Sequence, residues 1–142
     1  MYLFHLKQEN KMGKTQKIGG LGEDLAARFL VRRGYKIVHR NYLKPWGELD
    51  IVAEKKGKIH FVEVKSISQR VSDETGKSVT DSFRPEDNVS RGKMSRLSRI
   101  IQTYLSAEHV SSETKWQIDV ITVSIDVVSK KAKINFLEDV IF

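Results

Sequence analysis

Apolar residues recur at helical spacing from about Lys17 to Arg33. Leu21, Leu25, Phe29 and Leu30, with Ala26 between turns, make one stripe, and Gly34 follows as a stop signal. Tyr35 to Tyr42 reads as a short strand with Ile37 and Val38 inside it, and Pro45, Trp46 and Gly47 turn the chain. Two largely apolar segments come next, Gly47–Val52 and Phe61–Lys65. Between them Lys55-Lys56-Gly57-Lys58 has the polarity and length of a hairpin loop. Ser66 to about Val89 is poor in apolar residues and long for a connection, so it reads as a loop. A second helix is expected from Val89 to about Glu108, its stripe made by Met94, Leu97, Ile100, Ile101, Tyr104 and Leu105. Trp116–Val127 is rich in β-branched residues and reads as a strand, and Lys133–Leu137 as a short last one. The order αβββαβ, with or without that final strand, predicts an α/β fold with a central mixed sheet flanked by helices. Residues 17–142 form its single domain, and residues 1–16 are set aside as a flexible extension.

The core hairpin carries charge where core strands should not. Side chains alternate faces along a strand, so Glu48 and Asp50 share a face, as do Glu63 and Lys65. A four-residue loop sets Glu54 opposite Ile59; counting back, Asp50 faces Glu63 and Glu48 faces Lys65. All four then converge, with Phe61 and Ile59 on the same face and Leu49, Ile51, Val62 and Val64 on the other. Opposed carboxylates repel, and burying them unpaired costs more still. A divalent cation would remove both penalties, and hard carboxylate oxygens suit Mg²⁺ or Mn²⁺. With the Lys65 ammonium beside it to hold a phosphate or a water, such a site has the parts of metal-assisted phosphodiester hydrolysis. The plainer reading is an edge hairpin with a solvated outer face, which Phe61 on the charged face argues against.

A formal net charge of +7 favours a polyanionic partner, chiefly nucleic acid. Arg91, Lys93, Arg96 and Arg99 load the first half of the second helix with positive charge, where the helix dipole favours acids. A phosphate backbone would relieve that conflict; a solvated basic face is the alternative. Glu23 and Asp24 suit the positive end of the first helix. The absence of cysteine excludes disulfides, thiolate metal sites and a cysteine nucleophile. The four histidines show no zinc spacing, and His60 points away from Glu63 by strand parity. No apolar run approaches a membrane span, and Met1–Gln16 is too polar for a secretory signal, so a cytoplasmic protein is expected.

Asp50, Glu63 and Lys65 have the D…E-x-K pattern of the restriction endonuclease-like superfamily. Gly22-Glu23-x-x-Ala26, Gly34-Tyr35, Arg40-Asn41, Gly47-Glu48-Leu49-Asp50 and Phe61-Val62-Glu63-Val64-Lys65, taken together, resemble the YraN (UPF0102) family, itself similar to archaeal Holliday junction resolvases. The resemblance spans about Lys17 to Val123. It implies a restriction endonuclease-like fold, with Asp50, Glu63 and the Val64 carbonyl as Mg²⁺ ligands. It also implies that Glu23 completes the acidic set, that Lys65 activates water or stabilises charge on phosphorus, and that Lys93 contacts a phosphate. Glu48 follows the family's Gly-Glu-x-Asp pattern in a supporting role. The chain departs from the pattern after Lys65, where Ser66-Ile67-Ser68-Gln69 intervenes before Arg70. An endonuclease acting on DNA, with branched DNA among its candidate substrates and a homodimer as its candidate assembly, is thereby expected. A non-cleaving nucleic-acid-binding module of the same fold, acting with a partner, stays open beside it.

Overall fold

The computed structural model describes residues 2–5, 16–69 and 91–140. In chain order its elements are β1 (Tyr2–His5), α1 (Gln16–Arg32), β2 (Lys36–Lys44), β3 (Gly47–Lys55), β4 (Lys58–Gln69), α2 (Arg91–Ala107), β5 (Trp116–Asp126) and β6 (Lys131–Leu137). The strands form one six-stranded sheet in the order β1-β6-β5-β4-β3-β2. β4 and β5 pair in parallel and every other neighbouring pair is antiparallel, so this is the mixed sheet of an α/β fold.

Two tight turns build the centre. Pro45 and Trp46 separate the paired Lys44 and Gly47, joining β2 to β3. Lys56 and Gly57 join β3 to β4, both at positive φ (51° and 76°). That is the conformation of a two-residue hairpin turn whose twist matches its strands. The loop is therefore two residues rather than four, yet Glu54 still faces Ile59. The difference does not shift the register, because Lys55 and Lys58 simply become the first ladder pair.

One helix covers each face. Leu25, Ala26, Phe29 and Leu30 of α1 pack on Ile51, Ala53, Val62, Ile121 and Val123. Leu97, Ile100, Ile101 and Tyr104 of α2 pack on Leu49, Val52 and Phe61. Leu49 thus lies with Phe61, against the expectation that put it with Ile51 and Val62. Strict alternation would place Leu49 and Val52 on opposite faces, so it breaks once between them, at Asp50–Ile51. β2 breaks in step: His39 bonds Tyr104, and Tyr42 packs in the same α2-side cluster. The residue between the pairs Arg40↔Ile51 and Tyr42↔Leu49 is Asn41, with φ at 53°. A left-handed residue, which Asn tolerates better than most, supplies the kink.

Two further expectations change. Tyr2–His5, set aside with the extension, pairs with β6 at the sheet edge; residues 6–15 lie outside the described residues. Ser66–Gln69, read as the start of a loop, continues β4 because β5 supplies a parallel ladder as far as Gln69↔Asp126. Residues 70–90 of that expected loop lie outside the described residues.

Candidate metal centre

The β3–β4 ladder runs from Lys55↔Lys58 to Ile51↔Val62 and stops. Beyond it the strands do not exchange the next pair. Instead the Val64 backbone N–H donates to Asp50 Oδ2 at 2.8 Å. The opposition of Asp50 with Glu63 and of Glu48 with Lys65 is therefore absent from the ladder. The kink at Asn41 and Asp50 turns Glu48 and Asp50 toward α1, where Glu23 waits. Glu23, Glu48 and Asp50 each bring a carboxylate oxygen within 4.8 Å of the others.

Their electrostatics follow from that proximity. Partial burial, then the Asp50 charge, raises the pKa of Glu23 above the usual carboxylate value, with Glu48 adding to it. Desolvation and then Asp50 raise Glu48 likewise. Asn41 moderates the repulsion. With its amide nitrogen turned to the acids it donates to Glu23 Oε2 at 2.9 Å and Glu48 Oε1 at 3.3 Å; the other orientation would set oxygen against oxygen. Arg40, one residue earlier, donates to Asp24 Oδ1 at 2.7 Å and ties β2 to α1.

Glu23 is not a helix-end acid. α1 begins at Gln16 and has no acid in its first turn, so Glu23 lies about two turns in and the dipole does not explain it. Gly22 explains how it gets so close. A Cβ there would stand 1.8 Å from Ser66 Oγ and 2.9 Å from Ser66 Cβ. Only glycine lets α1 rest against β4 at this point, and the next residue is Glu23.

The remaining site residues divide. Glu63 is half-buried and lines a cleft of about 210 Å³ with Gly47, Glu48, Arg96, Leu97 and Ile100. Glu48 therefore belongs both to the tight acidic group and to the cleft, while Glu63 stands outside that group. Lys65 is half-buried and lies beside Thr122 in the parallel ladder. Among the described residues, the Thr122 hydroxyl is a buried side-chain group with no hydrogen-bond partner. Arg96 reaches the cleft, whereas Arg99 lies over the Trp46 ring at 5.0 Å. Arg91 and Lys93 start α2, and their side chains lie outside the described ones. His60 is buried outside the Glu23, Glu48 and Asp50 group, its Nδ1 2.7 Å from Asp119 Oδ2.

Sequence reasoning missed Asn41 as a member of the site. Its signal was present, since Arg40-Asn41 is part of the pattern quoted above, but an Asn inside a strand offers no periodic cue to its kink.

The model of a family described as "Uncharacterised protein family UPF0102" matches residues 22–123. The chain belongs to the UPF0102 family. A UPF0102 protein of Roseiflexus castenholzii is 33% identical over 125 residues, covering 88% of this chain and 93% of the relative. One from Clostridium perfringens strain SM101 is 36% identical over 127 residues, covering 88% and 93%. The segment matched by the UPF0102 model opens at the Gly22 contact and contains Glu23, Asn41, Glu48, Asp50, Glu63, Val64, Lys65 and all of α2. Among the described residues, no helix is long and apolar enough to cross a membrane.

Proposed function

We propose that this UPF0102 protein is a restriction endonuclease-like, metal-dependent endonuclease that hydrolyses phosphodiester bonds of DNA in the cytoplasm. The observation that carries the reading is the meeting of Glu23, Glu48 and Asp50 where the β3–β4 ladder opens. Three hard oxygen donors fit Mg²⁺ or Mn²⁺, and burial followed by the Asp50 charge raises the pKa of both Glu23 and Glu48. When bound, such an ion neutralises charge on a phosphodiester and lowers the pKa of water.

The chain's own residues do the rest. Glu23, Glu48 and Asp50 hold the ion, and the Val64 N–H anchors the Asp50 carboxylate. Glu63 and the Val64 carbonyl, ligands that the family resemblance implies, would add donors from β4. Lys65 donates to a phosphate oxygen or to the attacking water. Arg96, beside Glu48 and Glu63 in the cleft, positions the backbone to be cut.

Calorimetry with Mn²⁺ and a cleavage screen of branched, single-stranded and duplex DNA test the reading together. Wild type binds Mn²⁺ and cuts at least one substrate. Asp50→Asn weakens metal binding at least about tenfold, some 1.4 kcal/mol, and abolishes cleavage. Lys65→Ala depresses the rate and leaves DNA affinity nearly intact, one phosphate contact being a small part of binding. Equal Mn²⁺ binding by wild type and Asp50→Asn would sink the proposal. A second reading, binding without cleavage, draws on Glu63 standing outside the tight acidic group. DNA affinity that is undisturbed by Asp50→Asn, with no cutting of any substrate by wild type, would select it.

A further inference from the structure

A groove of about 440 Å³ opens on the α1 side of the sheet, lined by Asp24, Ala27, Arg28, Val31, Arg32 and Arg40. Asp24 follows Glu23 in the chain and Arg40 precedes Asn41, so the groove begins where the acidic cluster ends. We propose that this groove is a second phosphate-binding subsite, taking nucleic-acid backbone on the face of the sheet opposite α2. The inference rests on the nucleic-acid reading of the acidic site.

Asp24, Arg28 and Arg32 recur every four residues, so they line one side of α1. The single acid of the groove is held by Arg40 at 2.7 Å, which leaves the lining with a positive excess. That pair also fixes the Arg40 guanidinium at the groove wall, on the strand that carries Asn41. Arg28 and Arg32 are both exposed and stand about 6 Å apart along the helix axis. Like charges at this spacing weaken a helix, so their placement calls for a reason. The helix dipole supplies one for Arg32, in the last turn, but not for Arg28. Two guanidiniums in a row are suited to bidentate contacts with successive phosphates. Ala27 and Val31 give the floor an apolar patch against which sugars can rest.

The opposite face already offers Arg96 in the cleft beside Glu48. Charge therefore approaches the acidic cluster from both sides of the sheet, each time as arginine. One basic surface would suffice for a protein that merely holds a nucleic acid against a single face.

Salt titration of binding decides the matter, with full-length protein, a labelled mixed-sequence DNA duplex and EDTA present so that cutting plays no part. Each neutralised phosphate contributes about −0.9 to the log–log slope on duplex DNA. Arg28→Gln with Arg32→Gln should flatten the slope by about two units, while Arg28→Lys with Arg32→Lys should keep it. An unchanged thermal midpoint of the glutamine variant checks that it folds. Its effect should add to that of Arg96→Gln, because the groove and the cleft have no lining residue in common. A wild type that binds and cuts, with an unchanged slope in the glutamine variant, overturns the groove alone. A wild type that binds without cutting, with the slope flattened as stated, overturns the nuclease reading and keeps the groove. Failure of wild type to bind the duplex overturns both.

Discussion

Glu23, Glu48 and Asp50 hold like charges within 4.8 Å of one another, and Asn41 bridges two of them. Without a cation this arrangement works against the fold. The pKa of Glu23 is raised above its ordinary value of 4.5, so the folded chain holds that proton more tightly than the unfolded one. Stability tied to this group is complete below pH 4.5 and is lost as pH climbs through the raised pKa. Glu23→Gln removes the charge while keeping an oxygen for the Asn41 amide. The variant should melt above wild type at pH 7, by up to about 1 kcal/mol, since solvent screens part of the repulsion. The difference should vanish as pH falls toward 4.5. Saturating Mn²⁺ should reverse the order, because a ligand at a hundred times its Kd stabilises by about 2.7 kcal/mol and the variant binds it less well. Melting curves at several pH values, with and without Mn²⁺, read both effects.

At the level of elements, the contact between α1 and β4 decides where Glu23 stands. Gly22→Ala forces a methyl group into the Ser66 side chain, and overpacking of this kind typically costs about 1–3 kcal/mol. Ser66→Gly in the same chain should recover most of that loss, because it removes both atoms in the way. Denaturant melts of the two single variants and the double variant give the coupling; additive losses would mean that Gly22 matters for another reason. This contact also shows where reading a sequence stops. The Gly-rich start of α1 is visible in the sequence, but its partner Ser66 lies on another element. The hairpin, by contrast, was legible in register from its turn as far as Ile51↔Val62, since Glu54 faces Ile59, but not beyond it, where Asp50 does not pair with Glu63. The face of Leu49 was not, because a period of two cannot anticipate the step at Asp50 and Asn41. Nor could four residues at the chain start declare a strand whose partner, β6, comes near the end of the sequence.

Across the whole molecule, the sheet divides into a local half and a non-local one. β2, β3 and β4 follow one another through two-residue turns, whereas the parallel pairing of β4 with β5 must bring Ile59 to Trp116. Loop closure over such a span is slow, so the meander is the natural place for early structure. A hairpin closes from its turn outward. Pairing that starts at Lys56–Gly57 reaches Ile51↔Val62 and ends, which leaves the acidic end to arrive last. Repulsion that appears only after the folding barrier acts on the unfolding rate. Asp50→Asn should therefore slow unfolding and leave the folding arm of the chevron where it was, as stopped-flow mixing with urea would reveal. The chain can gather charge at this one place without delaying its own assembly.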